Sequence, residues 1–254
     1  MFWHKSWFDT RWRFLIGLAV LTCAAIAVVL AYPRVKELLP LVPQGGGGGL
    51  IGQQIREAAE LVRDYRGYVW SQWFSNSPTE VGTLLAVLLG SGSLVSQGSG
   101  AALFTLSLPA TRNQVLGARA ATGLGEWLVL ALVPSIIIPL VSPAVGASYD
   151  AGDAFIHGVC QFAAGAVFFS LALLLSTVFT DLWRPMLLTL AAAVGVAIVE
   201  QLFDGLSGYG VFALMSGELY FRTGQLPWGA LVVSASASAA MLYGASKSFA
   251  RRDF

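Results

Sequence analysis

The chain has 254 residues, of which 56% are hydrophobic and only 11% are charged, and its formal net charge is +1. A soluble domain of this length needs fewer apolar residues to fill one core, so the composition is typical of membrane proteins. The small net charge and the lack of a lysine and arginine run argue against nucleic-acid binding. Cys23 and Cys160 each lie in an apolar segment, which suggests neither a disulfide framework nor a metal site.

Six stretches of the sequence are apolar and about long enough to cross a membrane. An α-helix rises about 1.5 Å per residue, so about 20 residues cross a hydrocarbon core of about 30 Å. No stretch alternates apolar and polar residues as a barrel strand does, which predicts helices. The sequence thus predicts an all-α membrane protein with a single transmembrane domain over residues 1–254. The six predicted transmembrane helices cover residues 14–32, 78–95, 113–141, 154–179, 186–203 and 227–245.

The N-terminal segment, residues 1–13, combines aromatic side chains with basic ones. Basic residues before an apolar run are also found in signal peptides, but the run over 14–32 exceeds the usual length and no Ala-x-Ala site follows it. We therefore predict an uncleaved first span, preceded by an amphipathic helix on the cytoplasmic surface. With the N-terminus inside, nine of the 15 lysines and arginines are cytoplasmic. This bias predicts that both termini are cytoplasmic.

The predicted external loop, residues 33–77, contains a glycine run and an amphipathic pattern. Leu50 follows the glycines at 45–49, where a phosphate-binding Walker loop needs lysine, so the run is interpreted as a flexible linker. Apolar residues then recur every three or four positions up to Trp73, which predicts a helix. Two alternatives remain for this helix. It lies on the membrane surface with Trp70, Trp73 and Phe74 among the headgroups, or it packs against a second copy.

Residues 98–112 join the second and third predicted spans on the cytoplasmic side. By its pattern this segment is a short amphipathic helix that a proline ends. It also resembles the signature loop of type-2 ABC transporter permeases, the membrane subunits of many bacterial exporters. The residues that carry the resemblance are Gly100, Leu106, Ser107, Leu108, Pro109 and Arg112. Residues 96–99 (Ser-Gln-Gly-Ser) depart from the family, which usually has acidic residues there, so contacts with the ATPase are expected to differ in detail.

The resemblance implies a division of labour between subunits. This chain would be a permease in the bacterial inner (cytoplasmic) membrane, with the loop over 98–112 acting as the coupling helix and no enzyme site or cofactor of its own. A separate cytoplasmic ABC ATPase would bind ATP and Mg. A second permease chain, the same or related, would complete the translocation path among membrane lipids, making a dimer that exports an amphipathic or apolar substrate.

Ionisable groups inside predicted spans are costly and often functional. Glu126 is the deepest, and either faces a translocation path or pairs with a neighbouring helix. The stretch over 204–226 is too apolar for an ordinary loop and too short for another span. It is either a re-entrant external segment or a loop resting on the surface.

Two other functions are compatible with the sequence. Ser91 and His157 lie in different spans, so an intramembrane serine protease is conceivable, but helix rise puts them about 15 to 20 Å apart. A membrane assembly or structural protein without an ATPase partner is the other alternative. The direction of transport and the choice between homodimer and heterodimer do not follow from the residues.

Overall fold

A computed structural model describes residues 2–38, 59–92, 112–179, 181–203 and 210–250. Within these ranges the protein is helical and contains no strand, which confirms the predicted all-α class. The main helices are α1 (Phe2–Leu38), α2 (Tyr65–Val69), α3 (Ser77–Gly90), α4 (Arg112–Val141), α5 (Ala151–Val178), α6 (Trp183–Leu202), α7 (Val211–Ser216), α8 (Glu218–Thr223) and α9 (Trp228–Ala250).

Five of these helices are long and apolar enough to cross a membrane, as expected of a multi-pass membrane protein. They are α1, α4, α5, α6 and α9. The remaining one of the six predicted spans, the second in chain order (residues 78–95), is not confirmed, because α3 has only 14 residues. At about 1.5 Å per residue α3 is about 21 Å long, which is less than a hydrocarbon core. Residues 93–95 lie outside the described part of the chain.

The N-terminal segment continues into the first span without a break, since α1 is one helix of 37 residues. Residues 2–13, predicted as a separate surface helix, are therefore the first turns of α1. Their position relative to a membrane surface stays a prediction.

The long helices and α3 alternate in direction. The Thr10 side chain, near the start of α1, meets Glu126 at the middle of α4, whereas the Tyr68 hydroxyl bonds to the Val28 carbonyl oxygen, nearer the end of α1. We call the end of the bundle at which α3 and α5 finish the Arg13 end. We call the opposite end, where α5 begins and α6 finishes, the Asp153 end. In α9, Gly244 lies opposite Leu174 near the C-terminus of α5, so the two described chain ends, residues 2 and 250, share the Arg13 end.

Helix α5 is the most buried of the five long helices and packs against α3, α4, α6 and α9. Glycines allow this close approach. A Cβ on Gly165 would overlap the Trp127 indole of α4, and a Cβ on Gly90 of α3 would overlap the Phe169 carbonyl oxygen. The Trp127 indole crosses Gly165 and donates to the Phe162 carbonyl oxygen at 3.0 Å.

Segments between the long helices cover the Asp153 end. Helix α2 continues through a π-helical turn, Trp70–Phe74, and Trp70, Trp73 and Phe74 are buried in this chain's own core. Their burial contradicts the prediction that these rings pack on a second copy, and their depth relative to the headgroups stays a prediction. The spacing of apolar residues still identified the buried face, because Tyr65, Val69 and Trp73 all point inward.

Helices α7 and α8 form a short helical pair rather than a loop resting on the surface. Met215 of α7 is fully buried, and the Thr83 hydroxyl of α3 lies 3.6 Å from its sulfur atom. Gly217 joins the two helices at a φ of 64°, a left-handed conformation that favours glycine. A Cβ there would also lie 2.7 Å from Cδ2 of His157. The pair is therefore inserted against the bundle, while residues 204–209 lie outside the description.

Candidate functional site

Most of the predicted coupling residues lie outside the described part of the chain: Gly100, Leu106, Ser107, Leu108 and Pro109. Arg112 is the first residue of α4. What the structure describes is therefore the base of the loop, where α3 ends and α4 begins.

Glu126 is buried at the interface between α4 and α1. Glu126 is only 4% exposed, and its Oε1 accepts a hydrogen bond of 2.5 Å from the Thr10 hydroxyl of α1. Its Oε2 is buried and has no hydrogen-bond partner among the described residues. Glu126 therefore does contact a neighbouring helix, and its place on a translocation path stays a prediction.

The C-terminus of α3 is capped by an arginine from α1. Arg13 donates from Nη1 to the carbonyl oxygens of Leu88 at 3.1 Å and Ser91 at 3.2 Å. Carbonyls in the last turn of a helix lack partners within the helix, and a cation there also complements the helix dipole. The Ser176 hydroxyl of α5 lies 3.4 Å from the Gly90 carbonyl oxygen and 3.4 Å from the Gly92 nitrogen.

These contacts form one polar cluster, which we define as Thr10, Arg13, Ser91, Glu126 and Ser176. It ties α1 to α3 and to the middle of α4, and it ties α5 to the end of α3, the helix that precedes residues 93–111. Sequence analysis identified Glu126 by its depth. It missed the roles of Thr10 and Arg13, because each contacts a residue more than 70 positions away and no local pattern records such pairs.

A second polar group, at the Asp153 end, holds the covering segments in place. The Asp153 carboxylate accepts from Arg66 Nε at 2.8 Å and from the Tyr220 hydroxyl at 2.6 Å. One residue of α5 thereby binds both the segment containing α2 and the pair of α7 and α8. The Tyr65 and Ser142 hydroxyl oxygens lie 2.6 Å apart and add a link to the 3-10 turn that follows α4.

The tyrosines around Asp153 stay neutral to high pH. Burial is the main cause that raises the pKa of Tyr220 to about 12, and its hydrogen bond to Asp153 and the negative charge of that residue add to the effect. Burial likewise raises the pKa of Tyr149, and the Asp153 charge adds to it. A neutral phenol is the form that can donate to a carboxylate, so the charge state matches the geometry.

The arrangement does not support a serine protease. His157 stacks on Phe74 with ring centroids 4.3 Å apart, at the start of α3, whereas Ser91 follows the end of α3. A 14-residue helix separates the two by about 21 Å at the usual rise. Ser91 and His157 therefore cannot form a catalytic pair in this arrangement.

Glu200 of α6 caps the N-terminus of α7. Its carboxylate accepts from the backbone nitrogens of Val211 at 2.6 Å, Phe212 at 3.1 Å and Ala213 at 3.3 Å. These N–H groups have no partner within the helix, so an acceptor from a neighbouring helix satisfies them. Sequence analysis did not predict this role, since α7 itself was not predicted.

A cleft lies between α3 and α6, with α7 at its side. Its volume is about 750 Å³, and its wall combines apolar side chains such as Leu84, Leu190 and Val194 with polar ones such as Thr79 and Glu80. Among the described residues no group of three or more His, Cys, Asp and Glu side chains is placed to hold a metal ion. The cleft is therefore a candidate site for a small molecule in the described chain.

Comparison of the chain with protein-family models, with curated proteins and with solved structures gives no match.

Proposed function

We propose that this protein is the permease subunit of an ABC exporter in the bacterial inner membrane. In this account a separate ATPase binds ATP and Mg, and two permease chains form the translocation path for an amphipathic or apolar substrate. The five long apolar helices support a multi-pass membrane location. The six residues from Gly100 to Arg112 that resemble the permease signature support the family.

The observation that supports coupling best is the polar cluster that links α1 to the end of α3 and to the middle of α4. A loop that moves with the ATPase transmits motion only if the helices on both sides of it move as units. Arg13 joins α1 to the end of α3, and the hydrogen bond between Thr10 and Glu126 joins α1 to α4. A displacement of residues 93–111 would therefore act on α1, α3 and α4 together.

The alternation of the helices agrees with the proposed orientation. Gly92 and Arg112, the described residues on either side of 93–111, and both described chain ends lie on one side of the bundle, the Arg13 end. Described members of the predicted cytoplasmic set of basic residues lie at this same end, for example Arg13, Arg119 and Lys247. An ATPase in the cytoplasm would thus meet the loop and the N-terminal turns of α1 at one surface.

The test is to purify the full chain, tagged at its C-terminus, from its host's membranes in a mild detergent. We expect an ATPase with Walker motifs to co-purify at a fixed molar ratio and to hydrolyse ATP. Pro109→Gly removes the proline that is predicted to end the coupling helix, and it is expected to leave ATP hydrolysis in place while reducing transport into inverted vesicles.

Pro143→Gly is the matched control, because Pro143 is an exposed proline in the turn after α4 at the Asp153 end. It is expected to behave as the wild type. A folded, monodisperse chain that never co-purifies with an ATPase would instead favour a membrane assembly or structural protein.

A further inference from the structure

We propose that the cleft between α3 and α6 binds a small amphipathic cation, with the apolar part of the ligand inside the cleft and its positive charge beside Glu80. The inference rests on the proposed function only in treating this cation as the transported substrate. Binding itself requires no ATPase.

The cleft exists because α6 presents small side chains to α3. The residues of α6 that line it recur at helical spacing, and Ala193 and Ala197 lie one turn apart at its centre. Ala193 also packs with Val87 and Phe168 in a buried apolar cluster. This cluster closes the cleft towards the Arg13 end. The remaining volume, about 750 Å³, is within the usual range of about 300 to 1,000 Å³ for small-molecule sites.

Apolar and polar residues line different parts of the cleft. Leu84, Leu190 and Val194 give the deeper part an apolar wall, while Ser75, Glu80 and Gln201 line the part nearer the Asp153 end. A ligand that fills the whole cleft therefore needs an apolar body and a polar end. Helix α6 is one of the five helices long and apolar enough to cross a membrane, which favours a ligand that partitions into lipid before it enters.

The charge at the polar end is negative. The charged residues that line the cleft in the described chain are Glu80, Glu200 and Glu218, with no lysine or arginine among the lining residues. Glu218 forms an ion pair with Arg222 at 2.8 Å, and Glu200 accepts three backbone N–H groups of α7. The carboxylate of Glu80 makes no ion pair with any described residue, so it is the group left to attract a cation.

These observations select one class of ligand. An anion would meet three carboxylates and no basic partner, and a neutral acyl chain would leave Glu80 without a counter-charge. A monovalent cation with an apolar body satisfies both parts of the cleft. Its charge would be attracted by Glu80, and its body would cover the apolar wall of α6.

The experiment uses the purified full chain in nanodiscs of phosphatidylcholine, without nucleotide. Equilibrium dialysis measures binding of tetraphenylphosphonium and of tetraphenylborate, which have nearly the same size and shape but opposite charge, and empty nanodiscs supply the background. We expect saturable binding of the phosphonium alone. Saturable binding of both ions with similar affinity would overturn the proposal, and so would no binding above background.

Two variants locate the site, each with a matched control. Glu80→Gln is expected to weaken phosphonium binding about fivefold at low salt, the attraction of two unit charges about 4 Å apart in water. Glu37→Gln, an exposed glutamate of α1 outside the cleft, is expected to have no effect. Ala197→Leu fills the cleft and should weaken binding about tenfold or more, whereas Ala192→Leu on the exposed side of α6 should not.

Unchanged binding in both Glu80→Gln and Ala197→Leu would place the phosphonium elsewhere and overturn the assignment. Because no ATPase is present, failure here leaves the co-purification test of the permease untouched. Likewise, a chain that binds the phosphonium at this cleft but never associates with an ATPase would retain the binding site and lose the proposed transport function.

Discussion

At the scale of single residues, hydrogen bonds of buried polar side chains link neighbouring helices. A carboxylate inside a membrane protein is costly unless it has hydrogen-bond partners. Glu126 has one such partner in Thr10, at 2.5 Å. The same logic explains Arg13, whose guanidinium reaches carbonyls that α3 cannot satisfy itself.

We expect Thr10→Val to destabilise the protein by about 1 to 3 kcal/mol, because it keeps the side-chain shape and leaves a buried acceptor without its donor. Thermal unfolding in detergent, followed by tryptophan fluorescence, measures the change. Thr122→Val is the control, since the Thr122 hydroxyl bonds only to the Ala118 carbonyl of its own helix. Equal effects of the two substitutions would show that the link to Glu126 contributes little.

The tyrosine at position 220 gives a prediction about alkaline pH. Its pKa is raised from 10.0 to about 12, so the folded state favours the neutral phenol. The stability that results is fully present below about pH 10 and is lost as pH rises towards 12. We expect Tyr220→Phe to lose less stability between these values than the wild type, and to lack one phenolate transition near pH 12 in absorbance at 295 nm. A Tyr220 that titrates near pH 10 would contradict the described contact with Asp153.

Residue roles were only partly predictable from the sequence. Glu126 was identified because an ionisable residue in an apolar run is rare. Its partner Thr10 was not identified, since it is 116 positions away. A threonine near the start of a span is common and does not indicate such a contact. The acceptor role of Glu200, near the end of α6, was not predictable either, because it depends on α7.

At the scale of elements, small residues decide which helices approach closely. Gly165 of α5 lies beneath the Trp127 indole of α4, where even a methyl group would overlap the ring. In membranes, where water gives helices little reason to associate, such contacts supply much of the packing energy.

We therefore expect Gly165→Ala to destabilise the fold by about 1 to 3 kcal/mol through overpacking. Gly195→Ala in α6 is the control, because a Cβ there meets nothing within 4 Å and alanine is the better helix former. Its expected effect is neutral or slightly stabilising. The melting temperatures of the two variants, measured in one detergent, show whether Gly165→Ala is the more destabilising. A tolerated Gly165→Ala would contradict the described packing of α4 on α5.

Element boundaries followed hydropathy well where helices are long and poorly where they are short. The predicted spans over 113–141 and 154–179 match α4 and α5 closely. The span over 78–95 does not match α3, because Gly90 and Ser91 end the described helix where Arg13 of α1 supplies the cap. That contact comes from tertiary structure, which hydropathy does not record.

The covering segments show the same limit. The spacing that ends at Trp73 correctly indicated a helix with one apolar face. It did not indicate what that face contacts, because a membrane surface, a second copy and the chain's own bundle all select the same pattern. The answer depended on Asp153, which binds both covering segments through Arg66 and Tyr220.

At the scale of the whole molecule, the membrane class and the all-α architecture followed from composition and length alone. The alternation of the helices also followed, since each span must start on the side of the membrane at which the preceding span ended. The cleft did not. It depends on two alanines of α6 facing a short helix, α3, and on the insertion of α7 beside them.

The proposed function makes one claim about the whole molecule that a single measurement tests, namely that the loop at the Arg13 end contacts an ATPase. A photo-crosslinking benzoylphenylalanine is placed at Ser107 in the loop or at Ser148, an exposed serine at the Asp153 end, and native membranes are irradiated. We predict an adduct between the Ser107 variant and an ATPase with Walker motifs, identified by mass spectrometry, and no such adduct from position 148. An adduct only from position 148, or none from either position in a folded chain, would contradict the account.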